Sequence, residues 1–255
     1  MKLPELSTVE YGLVGHPLGH SRSKELFTGW HKTYENFDLA ELTPSTLYTL
    51  VLLNPKLKGF NVTAPYKETV MQFLDSLDAT AEKVGAVNTV RIKRAADGRV
   101  LALDGFNTDY IGFYNSAKPM IDALGSSAKA LILGTGGAAK AVAAVLADMG
   151  VEFKFVSRSR NDDRTISYDR LTDAIVAGHL FIVNTTPLGT YPDVETCPPI
   201  PYHAVGVKHK CFDLVYNPAE TEFMKRCKDR GAEVKNGMEM LEGQALASLN
   251  IWNNK

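Results

Sequence analysis

Cysteine is scarce in this 255-residue chain, which has only Cys197, Cys211 and Cys227. Their odd number and the lack of any CxxC spacing argue against both a disulfide framework and a zinc site. His209 lies two residues before Cys211, a pair that reads as a surface histidine beside a buried strand cysteine. An excess of one charge sign is missing too. Lys and Arg number 28 against 29 Asp and Glu, so at a net charge of −1 no overall field recruits nucleic acid or an anionic membrane. No apolar run approaches the ~18 residues of a spanning helix. The opening MKLPELSTVE carries no apolar stretch of the secretion type. These absences predict a soluble, cytoplasmic protein. NVT at Asn61 and NTT at Asn184 match a glycosylation sequon, but without a secretion signal they are coincidental. The sequence contains neither an internal repeat nor a low-complexity segment.

An apolar content of 45% is enough for a substantial core in one large domain or two ordinary ones. Apolar runs of strand length alternate with helical patterns almost throughout, which predicts an α/β fold with parallel sheets. Early strands are predicted at 11–14, 36–42 and 57–62, then at 86–94 and 99–105 around an Asp97-Gly98 hairpin turn. Helices are predicted at 23–36, from about 43, and at 76–85. A helix over 109–125, despite Pro119, leads into a second βα series that starts with the strand KALILG. In that series helices are predicted near 168–178 and 219–230. The closing GMEMLEGQALASLNIW is helical by its apolar spacing. The expected organisation is a domain over 1–108, completed by the last helix at 238–255, and a second domain over 109–237.

LILGTGGAAKAVAAVLADMG is the clearest site. A short apolar strand runs into Gly134-Thr135-Gly136-Gly137-Ala138-Ala139 and then a helix, the G-x-G-x-x-A pattern of a dinucleotide-binding turn. Gly134 permits the tight turn, Gly136 lets a pyrophosphate approach, and Ala139 lets helix and strand pack closely. Free N–H groups of Gly137 and Ala138 then face the phosphates. The next strand ends in Ser157-Arg158-Ser159-Arg160, with no acid before Asp162. A carboxylate there would repel a 2′-phosphate, whereas Arg158 pairs with one, so NADP is expected over NAD.

Polar clusters in the first half must supply the chemistry. GHPLGHSRSKELF puts Ser21 and Ser23 at the mouth of a helix, an anion site without a fixed cation, although a single serine there is also an ordinary helix cap. FNVTAPYKETV carries Asn61, Thr63 and Lys67 off the end of a strand. Asn88 lies in GAVNTV, and Asn107 and Asp109 lie in GFNTDYIG. His16, His20 and His31 invite a histidine acid–base reading, but His20 is expected to pack under the serine loop and His31 to lie on a helix face. The basic RIKRAADGR reads as a solvated hairpin edge.

GHPLGHSRS, NVTAPYK, GAVNT, GFNTD, GTGGAAKA, NTTPLG, DLVYNP and GMEMLEGQA follow one another along the chain. Together they resemble the shikimate dehydrogenase family over essentially the whole length. That resemblance implies an N-terminal α/β substrate domain and a Rossmann-type domain that binds NADP. It implies NADPH-dependent reduction of 3-dehydroshikimate to shikimate, a step towards the aromatic amino acids. By motif match, Ser21 and Ser23 hold the substrate carboxylate with Tyr216 nearby, and Thr63, Asn88 and Gln244 contact its hydroxyl side. Lys67 and Asp109 form the catalytic pair, Ser157, Arg158 and Ser159 replace an Asn-Arg-Thr turn, and Gly237 lies by the nicotinamide. Asn61 and Thr63 are expected to point into the cleft, with Lys67 opening the next helix. Lys24 stands where the family has proline. Two other readings stay open, a quinate/shikimate dehydrogenase with relaxed substrate or NAD use and a non-catalytic NADP-binding sensor. Either a monomer or a homodimer fits.

Overall fold

The computed structural model describes residues 8–18, 22–125, 128–158 and 162–254. The chain forms two compact units, 1–108 with 244–255, and 109–243.

The first unit is built on β1 (Tyr11–Gly15), α1 (Ser23–Gly29), β2 (Tyr34–Asp38), α2 (Pro44–Leu53), β3 (Gly59–Val62), β4 (Ser76–Leu77), α3 (Ala79–Val84), β5 (Thr89–Arg94) and β6 (Val100–Phe106). Its six strands are ordered β2-β1-β3-β5-β6-β4. The first three run parallel, β5 is antiparallel to both neighbours, and β4 is parallel to β6. Gly98, at φ +85°, makes the β5–β6 turn, where Arg99 N–H donates to Asp97 Oδ1.

Two expected helices of this unit are shorter than the pattern suggested. α1 stops at Gly29, and His31 follows it in a left-handed turn at φ +58° rather than on a helix face. That break lets the chain reverse into β2, which begins at Tyr34 and pairs Tyr34 with Tyr11. Ser76 and Leu77 pair with Asp104 and Gly105 as a strand, so α3 starts only at Ala79, with Asp78 accepting from the Ala81 N–H as its cap.

The second unit carries α4 (Thr108–Asp122), β7 (Lys129–Leu133), α5 (Gly137–Asp148), β8 (Glu152–Ser157), β9 (Thr165–Ser167), α6 (Asp173–Gly178), β10 (Phe181–Asn184), β11 (Lys210–Asp213), α7 (Glu222–Lys228), β12 (Glu233–Lys235) and the first turns of α8 (Met238–Trp252). Its sheet is entirely parallel and ordered β9-β8-β7-β10-β11-β12. Counted along the unit this is 3-2-1-4-5-6, the doubly wound Rossmann order. Residues 168–170 form a 3₁₀ turn, and Thr172 caps α6 separately. α7 likewise begins at Glu222, because Thr221 accepts from Met224 N–H and ends the preceding loop.

Each unit buries two apolar clusters. In the second, Phe113, Ala117 and Met120 of α4 and Met240 of α8 pack with Ala130, Ile132, Val142 and Val183. In the first, the end of α8 is anchored by Trp252, which stacks on Tyr11 at 4.8 Å and donates to Val90 O at 2.9 Å. A Cβ on Gly59 would lie 2.2 Å from the Trp252 indole nitrogen, so only glycine admits that ring. The two halves of α8 therefore belong to different cores, which is why the units divide between Gly243 and Gln244. The sequence assigned the whole helix to the first domain.

Candidate active site

In the first unit a buried polar network gathers side chains from the start of β5, from Thr108 where the chain enters α4, and from α8. Asn88 Oδ1 accepts from Thr108 N–H at 2.7 Å and from the hydroxyls of Thr108 and Thr89 at 3.1 Å. Asn88 Nδ2 donates to Gln244 Oε1 at 3.4 Å, so these two predicted substrate residues meet. Ser248, one turn after Gln244, donates to Gln244 O, and its oxygen lies 2.8 and 3.1 Å from the hydroxyls of Thr89 and Thr108. A buried network of this kind fixes its members only if all are satisfied, and here the bonds interlock.

Asn61 belongs to this network and does not point into a cleft. It is 5% exposed, accepts from Tyr34 Oη at 2.9 Å and donates to Ser248 Oγ at 2.9 Å and Asn88 O at 3.1 Å. As a β3 residue it faces the side of the sheet that the last helix covers, so its amide is consumed internally. Thr63 leaves β3 half-buried, held by its N–H to Val14 O at 2.9 Å. Lys67 is half-buried too, in the turn before a 3₁₀ segment at Thr69–Phe73, and does not open a helix. Its carbonyl accepts from Val87 N–H at 2.8 Å, fixing its backbone beside the segment that leads through Asn88 into β5.

Ser23 is buried at the first position of α1, and the cap residue is Arg22, so this serine is not spent as a helix cap. Lys24, the departure from the family's proline, pairs with Glu35 at 2.7 Å. Upstream, Asp38 accepts from His16 Nδ1 at 2.6 Å and Leu18 N–H at 3.1 Å, pinning the start of the serine loop. The His16 hydrogen bond, with that of Leu18, holds the Asp38 carboxyl below its ordinary value. Ser21 and His20 lie outside the described residues.

The second unit holds Asp109, buried in the first turn of α4. It also holds the glycine turn, at the point where the chain crosses from one side of β7 to the other. Ligands of open α/β sheets bind at such a switch point, beyond the carboxyl ends of the strands. Gly134 has φ +114°, and a Cβ there would lie 2.6 Å from Thr185 Oγ1, so both conformation and space require glycine. Gly136 caps α5 without a side chain, Gly137 and Ala138 form its first turn, and Ala139 is fully buried beneath it. The 12-residue helix thus presents its N-terminal amides at the switch point. These features fit a dinucleotide pyrophosphate.

Beside the turn lies a cavity of about 460 Å³, walled by Thr135 and Lys140, by Phe155 of β8, and by Asp162, Asp163 and Arg164. Ser157 ends β8 and Arg158 follows it, exposed. Ser159 and Arg160 lie outside the described residues. The sequence reading missed Lys140 and Arg164 as cations on this wall, and it stopped short of the two carboxylates. Lys140 was legible as the residue just after the glycine motif. Arg164 is brought back by the short β9 pairing with β8, which no local pattern announced.

Tyr216 and Gly237 are joined through one segment. Gly237 N–H donates to Val215 O at 3.1 Å, and a Cβ on Gly237 would lie 2.1 Å from Leu214 O. The residue that holds this segment was missed altogether. Asp213, fully buried at the end of β11, accepts from Asn184 Nδ2 at 2.9 Å, Val215 N–H at 3.0 Å and Thr221 Oγ1 at 2.5 Å. His209 is buried as well, its Nε2 3.1 Å from Val176 O, which corrects its reading as a surface residue. Among the described residues no group of three His, Cys, Asp or Glu is placed to hold a metal ion, and no helix is long and apolar enough to cross a membrane.

Residues 13–90 match the family model described as the shikimate dehydrogenase substrate binding domain. A curated shikimate dehydrogenase (NADP(+)) from Clostridium beijerinckii is 36% identical over 257 residues, covering 95% of this chain and 91% of that protein. The chain belongs to the shikimate dehydrogenase family. Among solved structures, shikimate dehydrogenase 1 from Peptoclostridium difficile is 32% identical with a TM-score of 0.81, covering 97% of this chain and 92% of that one. The Thermus thermophilus shikimate 5-dehydrogenase, solved with NADP(H) and shikimate, is 28% identical with a TM-score of 0.79, covering 97% and 94%. These relatives favour the NADP-dependent shikimate enzyme over the relaxed dehydrogenase and the sensor.

Proposed function

We propose that this protein reduces 3-dehydroshikimate to shikimate with NADPH, in the biosynthesis of aromatic compounds. The observation that carries this is the similarity to NADP(+)-dependent shikimate dehydrogenases over nearly the whole chain, and Lys67 and Asp109 are both present in the motifs NVTAPYK and GFNTD that carry the resemblance.

NADPH, when bound, supplies the hydride that reduces the substrate carbonyl carbon. Gly134, Gly136, Gly137 and Ala138 receive its pyrophosphate, Ser157, Arg158 and Ser159 its adenosine end, and Gly237 borders the nicotinamide. Arg158 is the residue whose fixed charge suits a 2′-phosphate. Ser21 and Ser23 bind the substrate carboxylate with Tyr216, while Thr63, Asn88 and Gln244 bind its hydroxyls. Asn88 is well suited to this because its Oδ1 is fixed by three donors. Lys67 stabilises the negative charge that develops on the carbonyl oxygen and delivers the proton to it. Asp109 accepts a hydrogen bond from the adjacent substrate hydroxyl and holds the reacting groups in register.

The test is NADP⁺ reduction by the purified protein with shikimate, beside quinate and NAD⁺ controls at saturating concentration. Rapid turnover with shikimate and NADP⁺ is the expected result. Equal turnover with quinate or NAD⁺ would point to the relaxed dehydrogenase, and absence of turnover with NADP⁺ still bound would overturn the enzymatic assignment.

A further inference from the structure

Asp213 is an ionisable group with no part in the chemistry just described, and it is 0% exposed. A buried carboxylate is retained against its desolvation only when donors converge on it. Three do, from three separate elements. Asn184 is the last residue of β10, Val215 lies on the loop after β11, and Thr221 caps α7. All three are neutral donors. The carboxylate therefore ties the NTTPLG loop, the DLVYNP loop and the start of α7 to one point.

The tie reaches further through the main chain. Asn184 Oδ1 accepts from Thr186 N–H at 3.0 Å and from its hydroxyl at 2.6 Å, so the orientation that lets Asn184 donate to Asp213 also sets the loop after β10. Leu214 N–H donates to Asn184 O at 2.9 Å. Leu214 O is the atom a Gly237 side chain would strike, and Val215 O accepts the Gly237 N–H. Tyr216 is the next residue along. The two groups read as nicotinamide neighbour and substrate ligand thus hang on the segment that Asp213 holds.

We propose that Asp213 is a positioning residue for hydride transfer, its carboxylate fixing the 213–216 segment so that Gly237 and Tyr216 seat the reacting partners. This rests on the roles of Tyr216 and Gly237 given above. The adenosine end of the cofactor is held by other residues and does not depend on it. Losing the clamp therefore slows the chemical step more than it weakens NADP⁺ binding.

Asp213→Asn is the near-isosteric test, since its remaining oxygen still accepts from Asn184 and Val215 while the charge is gone. Wild-type turnover of shikimate with NADP⁺ is measured first, and its absence would count against the proposed function alone. In the variant kcat is expected to fall about 10- to 100-fold, the scale of a small misplacement of reacting atoms. The Kd for NADP⁺ should stay within about threefold. With shikimate deuterated at the carbon that is oxidised, the isotope effect on kcat should rise, because hydride transfer becomes rate-limiting. A merely structural role would lower the active fraction and leave isotope effect and KM unchanged, and that result overturns the proposal. Should Asp213→Asn fail to fold, Thr221→Val removes one donor while Thr221→Ser keeps it. A raised isotope effect in Thr221→Val, restored in Thr221→Ser, is then expected, and an unchanged one in both overturns the proposal.

Discussion

Asn88 and Gln244 are 156 residues apart in sequence and share a hydrogen bond at 3.4 Å, Asn88 Nδ2 donating to Gln244 Oε1. The contact brings the last helix onto the residue just before β5, and Thr108 Oγ1 lies 3.4 Å from the same oxygen. Gln244→Ala would leave Asn88 Nδ2 short of a partner in a buried setting, while the Thr108 hydroxyl keeps its 3.1 Å bond to Asn88 Oδ1. A loss of about 1–3 kcal/mol in unfolding free energy is expected, with KM for shikimate raised about 3- to 10-fold and KM for NADP⁺ unchanged. Urea unfolding and initial-rate kinetics read the two effects separately. Equal changes in both KM values would remove Gln244 from the substrate side.

Lys67 is a different case, because its backbone is fixed independently of its side chain through the bond from Val87 N–H to Lys67 O. Lys67→Ala should therefore fold and bind NADP⁺ as the wild type does. Its turnover is expected to fall about 10²- to 10⁴-fold, the range of a positioned acid–base group. Near-normal kcat would sink the catalytic assignment of Lys67.

Cofactor selectivity can be tested at residues that differ in their structural burden. Arg158 is exposed after β8, so Arg158→Ala should leave stability within about 0.5 kcal/mol. Loss of one charge-assisted contact to a 2′-phosphate is expected to raise KM for NADP⁺ about 10- to 100-fold and leave KM for NAD⁺ alone. Gly134→Ala should weaken both cofactors, since φ +114° and the 2.6 Å approach to Thr185 Oγ1 leave no room for a Cβ. Steady-state kinetics with both cofactors separate the two patterns.

The alternation of apolar strands with helical segments made the α/β character legible, and the glycine turn placed the start of α5 to within a few residues, the helix opening at Gly137 inside the motif rather than after it. Where local signals failed, longer-range pairing had overridden them. Residues 30–36 look helical by composition, yet Tyr34 pairs with Tyr11 and the helix ends early. Asn61 looked like a site residue because it sits beside Thr63 at a strand end. Its partners Tyr34, Asn88 and Ser248 come from distant parts of the chain that no local pattern reveals. Asp213 was hidden for the same reason, since its three donors lie on three elements and its burial depends on all of them.

Asp213 also makes a prediction about stability and pH. Burial pushes its carboxyl up from 3.8 to about 6, against the opposing pull of the Thr221, Val215 and Asn184 hydrogen bonds. The folded protein thus binds this proton more readily than the unfolded chain does. Between about pH 4 and pH 6 the native state retains a proton that the unfolded state has released, so this group's contribution is most favourable below that window and declines as pH rises through it. A shift of about two units corresponds to roughly 3 kcal/mol across the window. Asp213→Asn carries no such titration. Urea unfolding of wild type and variant at steps from pH 4.5 to 7.5 cancels the carboxylates they share. The variant's stability relative to the wild type is expected to climb with pH and level off above about pH 7, and a difference that stays flat would mean that Asp213 is solvated well enough to keep an ordinary carboxylate pKa.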